Sequence, residues 1–340
     1  MKNPTKVHNK GFVSALKVAE LAGVSRSAVS RTFSDGGSVS PETRQKVIAA
    51  AKELGYHVNH LARGLLSDRT NIVSLVIRSV SNPYQSRMMD EIIRVLQASD
   101  RVALVINADG VDDGAAQALT QSLNFRAEAT VVLSGQPSYD LVDTCLANGQ
   151  HVILLNRGKR HDGADRISID NEGAATEAVR LNKRAGCRRH VVVSSTSLTP
   201  SLAARELAYV TEAKAIGDEV EVVAVGPTSY ATGAEAARRV FGRASTPDAA
   251  FCVTDILALG FMDTARQEFQ LNIPDDLCVI GFDDIEQAQW TSYRLTTFRQ
   301  PVTEIAEQIG RLLGDPPVGG VGRDIALKTT PIWRNTVRPR

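Results

Sequence analysis

Cysteine is scarce, and its placement excludes more than its number does. Cys145, Cys187, Cys252 and Cys278 are the only four in 340 residues, and no two form a C-x-x-C pair. That excludes a disulfide-stapled secreted scaffold and a zinc ribbon, and points to thiols kept in a reducing compartment. Long apolar runs are missing too: no stretch approaches the ~18 consecutive apolar residues of a membrane span. The first ten residues are polar and basic, without the apolar core of a signal peptide. The expected location is the cytoplasm. The sequence also lacks G-x-G-x-x-G, the G-x-x-x-x-G-K phosphate loop and the G-x-S-x-G elbow, so the common nucleotide-binding and hydrolase signatures are absent. Gly158-Lys159 stands isolated and fits a loop. Of six histidines only His57 and His60 are close neighbours, which gives no metal-ligand spacing. No enzyme activity, cofactor or metal is expected.

What is present is an ordinary globular composition, 43% hydrophobic and 23% charged, at a length that suits two or three domains. The net charge of +1 conceals an asymmetry. Residues 1–69 carry 11 Lys and Arg against 5 Asp and Glu, a balance of +6; the remainder carries 28 against 33, a balance of −5. A basic head on an acidic body favours polyanion binding through the head alone.

The head has its own pattern. Leu16, Ala19, Leu21 and Ala22 recur at helical spacing, and Gly23 breaks the run. Ser25 is placed to cap a second short helix with Ala28 and Val29 on its apolar side. Small alanines let two helices meet at a steep angle, and glycine supplies the freedom the turn needs. Arg26, Ser27, Ser30 and Arg31 then face outward. Arginine can bond bidentately to a guanine edge, and serine can meet a base or a phosphate. Ser40-Pro41-Glu42 starts a third helix through Val47, Ile48, Ala50, Ala51 and Leu54 to Gly55. After it, residues 56–66 form an apolar and basic segment too short to be a stable helix alone, and Gly64 weakens it further.

Beyond residue 71 strands alternate with amphipathic helices. Strands are expected over 72–77, 102–106, 130–133 and 151–155, with helices over 86–98, 115–123 and 140–147 between them. A second series opens with a strand over 166–169 and continues with helices over 174–184, 203–215, 233–241 and 256–269. Its further strands are 190–194, 220–225, 249–253 and 277–281. This alternation implies parallel sheets covered by helices on both faces, in two doubly wound lobes with a ligand cleft at the carboxyl ends of the strands.

The chain resembles the LacI/GalR family of bacterial transcription regulators. In the head the matching words run from Val18 to Ser25, from Ala28 to Arg31 and from Val39 to Arg44, with Leu54-Gly55-Tyr56 and Asn59 after them. In the body they are Asn82-Pro83-Tyr84, Leu155-Asn156-Arg157, Ile169-Asp170-Asn171, Gly186 with Arg188-Arg189, Gly281-Phe282-Asp283-Asp284, and Leu295-Thr296-Thr297 with Arg299-Gln300-Pro301. The resemblance implies an all-α helix-turn-helix head over 1–58, a hinge helix and linker over 59–69, and a two-lobed α/β body over 70–340 like that of periplasmic binding proteins. One lobe would comprise about 70–168 and 299–325, the other about 169–298 and 326–340. It also implies that Arg26, Ser27 and Arg31 read the major groove, with Ser14, Ser25 and Ser30 as further DNA contacts. Asn59, Leu61 and Ala62 would belong to the hinge helix, with Leu65 prying open a minor-groove base step.

In the body the resemblance assigns effector contacts to Asn82, Tyr84, Asn156, Arg205, Thr228, Thr254 and Asp283. Asn82 would cap the helix that Pro83 begins, which aims free N–H groups at the cleft. Arg205 and Asp283 would hold a polar ligand from two sides. Several departures from the family pattern stand out: Gln85 where a second aromatic is common, Thr228 for a stacking aromatic, Thr254 for an asparagine, Cys187 for a histidine and Ala208 for a glycine. They predict a cleft with few aromatics, suited to a sugar, or to a sugar acid or similar carboxylate paired with Arg205. The implied whole is a homodimeric repressor on double-stranded DNA with a near-palindromic operator, tuned by that small molecule. The C-terminal stretch from Trp333 has no leucine heptads, so no tetramerising coiled coil is expected.

Overall fold

The structure is a computed structural model that describes residues 12–34, 37–58, 70–108, 114–134, 137–156, 160–197, 199–243, 246–317 and 320–339. The chain divides into two compact units, 1–70 and 71–340. The expected hinge residues Asn59, Leu61, Ala62 and Leu65 lie outside the described residues.

The first unit holds helices α1 (Ala15–Ala22), α2 (Arg26–Thr32) and α3 (Pro41–Leu54), each opened by a serine whose hydroxyl accepts a first-turn N–H. Ser14 caps Lys17 at 3.4 Å, Ser25 caps Ala28 at 3.2 Å and Ser40 caps Thr43 at 3.2 Å. Gly23 and Gly55 end α1 and α3 at φ 64° and 63°, in the left-handed region that glycine enters without strain. Val18, Ala19, Val29, Val47, Ala50 and Ala51 form the miniature core. Ala28 and Val29 face inward as expected, but Leu16, Leu21 and Ile48 are about half exposed. With only three short helices, the core-facing stripe is narrower than the apolar content suggests, and Val18 rather than a leucine fills it.

The second unit is built on two parallel sheets. The first has strands β1 (Ile72–Ile77), β2 (Val102–Asn107), β3 (Ala129–Val132), β4 (His151–Leu155), β5 (Asp165–Ile169) and β11 (Asp324–Leu327), in the order β11-β5-β4-β3-β1-β2. Helix α4 (Pro83–Ala98) packs with α11 (Val302–Gly314) over one sheet face, through Met88, Ile92, Leu96, Ile305 and Ile309. Helices α5 (Gly114–Asn124) and α6 (Tyr139–Ala147) cover the opposite face through Ala118, Leu119, Val142 and Cys145. The second sheet has strands β6 (Arg189–Ser194), β7 (Glu219–Ala224), β8 (Ala249–Cys252) and β9 (Cys278–Ile280), ordered β7-β6-β8-β9. It packs with α7 (Asn171–Arg184), α8 (Pro200–Ala215), α9 (Tyr230–Phe241) and α10 (Asp255–Gln267) around Tyr209, Phe251 and Phe261.

Two differences from the sequence expectations concern element ends and membership. Helices begin about three residues earlier than their apolar periodicity: α4 at Pro83, α8 at Pro200, α9 at Tyr230. Their first turns are polar and carry no periodic signal, so the caps mark the true starts. The strand expected to open the second series instead closes the first: β5 pairs in parallel with β4 and β11. Strand period alone does not say which sheet a strand joins.

Three chain crossings join the lobes. The first follows β5, the second runs from β10 (Thr297–Arg299) into α11, and the third follows β11 into β12 (Thr330–Ile332), which pairs antiparallel with β10. The chain then locks into the second lobe: Val279 N–H donates to the Thr336 carbonyl at 2.7 Å, and Val337 is buried in that lobe's core. Among the described residues no helix is long and apolar enough to cross a membrane.

Candidate functional site

On the head, the exposed side of α2 carries Arg26, Ser27, Ser30 and Arg31, while Ala28, Val29 and Thr32 turn inward. Four polar side chains on one face and three small ones on the other are what a groove-entering helix needs. The turn before α2 is pre-shaped: Ser25 and Ser27 hydroxyls meet at 2.9 Å, and Arg31 Nε donates to the Ser27 carbonyl at 3.3 Å. Ser14 and Ser25 are exposed at the starts of α1 and α2. A residue the sequence offered without a role is Arg44, whose Nη1 donates to Thr32 O at 2.9 Å and Nη2 to Gly37 O at 3.1 Å. These bonds fix the end of α2 to α3, so the arginine is a brace rather than a surface charge.

In the second unit, all seven residues assigned to the effector line one cavity of about 530 Å³ between the lobes. It sits beyond the carboxyl ends of β1, β3 and β4 on one side and of β6, β7, β8 and β9 on the other. This includes the points where each strand order reverses direction, between β1 and β3 and between β6 and β8. Four helix N-caps line it: Asn82 of α4, Thr199 of α8, Ser229 of α9 and Thr254 of α10. Asn82 accepts from Gln85 N–H at 3.2 Å, as expected for a cap before Pro83.

Arg205 and Asp283 do not stand on opposite sides of an open space. Arg205 is buried, its Nη1 lies 3.6 Å from Asp283 Oδ1, and the same nitrogen donates to the Val253 carbonyl at 2.8 Å. Its Nε donates to Asn171 Oδ1 at 2.8 Å, and the guanidinium lies 3.4 Å above the Phe282 ring. Gln300 Nε2 donates to Asp283 Oδ1 at 2.7 Å, and Tyr84 Oη donates to Gln300 Oε1 at 2.8 Å. A continuous chain of polar contacts therefore runs from α4 of the first lobe through a crossing segment to α8 of the second. Burial raises the Asp283 pKa, opposed by Arg205 and Gln300. Burial likewise lowers the Arg205 pKa against the pull of Asp283. Asp283 has φ 125°, a backbone region sparsely populated by residues other than glycine.

The remaining assigned residues are placed as follows. Asn156 has φ 54° and its Oδ1 accepts from Ile169 N–H at 3.0 Å, so it also fixes the strand end beside the first crossing. Thr254 lines the cavity and is buried, and its Oγ1 has no hydrogen-bond partner. Thr228 is half-buried, and two residues later Tyr230 also lines the cavity. The cleft is thus less poor in aromatics than the substitutions at Gln85 and Thr228 suggested. Gln300 was legible only as part of a family word, and Arg78 and Tyr230 carried no signal beyond following a strand or starting a helix.

A three-helix head with an arginine-bearing second helix, and a two-lobed body with a polar cleft, define a ligand-responsive DNA-binding regulator. Residues 16–59 match the family described as bacterial regulatory proteins, lacI family, and residues 179–337 match a periplasmic binding protein-like domain. The HTH-type transcriptional regulator AscG of Escherichia coli (strain K12) is 30% identical, over 89% of this chain and 91% of its own. Catabolite control protein A of Priestia megaterium is 29% identical over 88% and 91%. The chain belongs to the LacI family of transcriptional regulators. Among solved structures, a Silicibacter pomeroyi regulator described as of the same family has a TM-score of 0.82 at 25% identity, covering 96% of this chain and 100% of that one. The lac repressor dimer bound to operator and the anti-inducer ONPF has a TM-score of 0.85 at 21% identity, covering 96% and 99%.

Proposed function

We propose that this regulator is a homodimeric cytoplasmic repressor that binds a near-palindromic operator and releases or grips it in response to a small polar metabolite. The metabolite class is a sugar, a sugar acid or a similar carboxylate, held between the lobes. The observation that carries the proposal is the joining, in one chain of this family, of an exposed Arg26-Ser27-Ser30-Arg31 face to a cavity spanning the lobe crossings.

Each head places α2 in one half-site, with Arg26, Ser27 and Arg31 on base edges and Ser14, Ser25 and Ser30 at the backbone; two-fold protein symmetry is then mirrored in the DNA. The chain divides into a head over 1–58, a hinge over 59–69 and a body over 70–340. In the hinge, Asn59, Leu61, Ala62 and Leu65 meet the central minor groove. A relative's solved structure, the lac repressor, is described as a dimer on operator, which supports the stoichiometry. Another neighbour is described as a complex with cellobiose, which supports a sugar-like occupant.

The coupling follows from the polar chain across the crossings. A ligand that bonds to Asn82, Thr254 or Thr228 while displacing the Tyr84-Gln300-Asp283 contacts changes the energy difference between lobe arrangements, and so the population of the DNA-competent dimer. The test is a titration of operator affinity against any metabolite that raises the protein's melting temperature. An affinity change of about fivefold or more is expected, and a ligand that binds the body without changing operator affinity contradicts the mechanism.

A further inference from the structure

The cavity's charge balance is uneven in a way that narrows the ligand. Among the described residues its charged lining consists of Arg78, Arg205 and Asp283. Arg205 and Asp283 face each other at 3.6 Å, and each has a further polar partner of its own, Asn171 for Arg205 and Gln300 for Asp283, so their charges are largely spent on one another. Arg78 follows β1 directly and is exposed, and among the described residues no acceptor meets its guanidinium. Its own backbone N–H donates to Ser134 Oγ at 2.5 Å, which places Ser134 beside it, and Ser79 and Ser81 follow it into the cavity lining.

A second observation points the same way. Neither Thr199 nor Thr254 accepts a first-turn backbone N–H at the start of α8 and α10, although Thr199 Oγ1 meets Ser201 Oγ at 3.4 Å. Thr254 Oγ1 is a buried polar atom with no partner, on a residue that lines the same cavity. Among the described residues, positive helix ends surround a space that contains one cation without an acidic partner and no anion without a cationic one. A neutral sugar would leave that cation unanswered, whereas a carboxylate would answer it bidentately.

We infer that the effector is a hydroxylated carboxylic acid, of the aldonate or uronate class. Its carboxylate is bound by Arg78 with the Ser79, Ser81 and Ser134 hydroxyls, and its hydroxyls are bound at the Thr254 and Asp283 side. Arg205, whose Nε and Nη1 are already engaged by Asn171, the Val253 carbonyl and Asp283, is the partner that orients Asp283. Arg78 is thus the specificity-determining residue for the acid over its neutral parent. This rests on the cleft being the effector site.

The test is calorimetric titration of the full chain with D-gluconate, D-galactonate, D-glucuronate and D-galacturonate, their neutral parents glucose and galactose, and glucose 6-phosphate. At least one acid is expected to bind about tenfold or more tighter than its parent, an advantage that shrinks with added salt. Arg78→Gln should bring the acid-to-neutral ratio close to one, and Arg78→Lys, which keeps the charge without the planar fork, should leave it intermediate. Arg78 is exposed, so both variants should melt near the wild-type temperature. A tighter neutral parent, a preference for the phosphate ester, or a ratio unchanged by Arg78→Gln overturns the carboxylate assignment and leaves the cleft standing. If none of the sugars binds but a metabolite pool shifts operator affinity in wild type and not in Thr254→Val, the assignment alone fails. If no metabolite acts through Thr254, the cleft itself is refuted.

Discussion

At the scale of single residues, two arginines do opposite work. Arg26 projects exposed from α2, no partner holds it among the described residues, and its proposed role is recognition. Arg26→Ala should weaken specific operator binding by about 1–3 kcal/mol while costing nonspecific DNA far less, measured by fluorescence anisotropy on operator and scrambled duplexes. Equal losses on both would assign Arg26 to the phosphate backbone. Arg205 is the reverse case, buried among Asn171, the Val253 carbonyl, Asp283 and the Phe282 ring. Arg205→Ala leaves Asp283 buried without its cation and should cost about 3–5 kcal/mol of stability in urea denaturation. Arg205→Lys should recover only part, since a lysine cannot reproduce the fork or the ring contact. The sequence placed Arg205 and Asp283 in the same cavity through family words. It could not show that they meet each other, because two residues 78 positions apart carry no sign of their mutual distance.

At the scale of elements, helix ends shape the cleft and one buried carboxylate sets a pH dependence. Asp255 opens α10 fully buried; its Oδ1 accepts from Thr297 Oγ1 at 2.6 Å and its Oδ2 from Ile285 N–H at 2.9 Å. Burial, with Asp283 nearby, raises its pKa from 3.8 towards about 7. Because the native fold then holds a proton that the unfolded chain has released, this site stabilises most in acid and loses that contribution as pH rises from about 4 to about 7. Asp255→Asn should therefore gain melting temperature relative to wild type between pH 5 and pH 7.5 (roughly the upper part of that window); a difference independent of pH would deny the raised pKa. A second test concerns α9 and α10, which approach through glycine. A methyl on Gly260 would run into the Tyr230 carbonyl, and one on Gly233 into that of Leu257. Gly260→Ala should cost about 1–3 kcal/mol despite its better helix propensity, and should disturb ligand binding because Ser229 and Thr254 cap these two helices. The α/β alternation was legible because each strand is a short apolar run and each helix has a 3.6-residue stripe. The polar first turns of α4, α8 and α9, and the sheet that β5 joins, leave no trace in that periodicity.

At the scale of the whole molecule, the proposed regulator is a basic head that reads DNA in symmetric pairs under the control of an acidic body. The charge division, +6 over residues 1–69 against −5 over the rest, was legible from composition alone. The three crossings between the lobes were legible only through the family resemblance and not through periodicity, since they depend on β11 returning to pair with β5 and on Thr336 bonding to Val279. In the proposed mechanism those crossings, with the Tyr84-Gln300-Asp283 contacts beside them, are what carries ligand occupancy into lobe orientation. The most direct measurement is selection of genomic fragments by the purified full chain, with and without a metabolite pool, followed by footprinting of the best fragment. The account predicts a protected near-palindrome of two half-sites about one helical turn apart, with occupancy that changes when the pool is added. Failure to enrich any sequence under either condition, or protection of a single unpaired half-site, would contradict it.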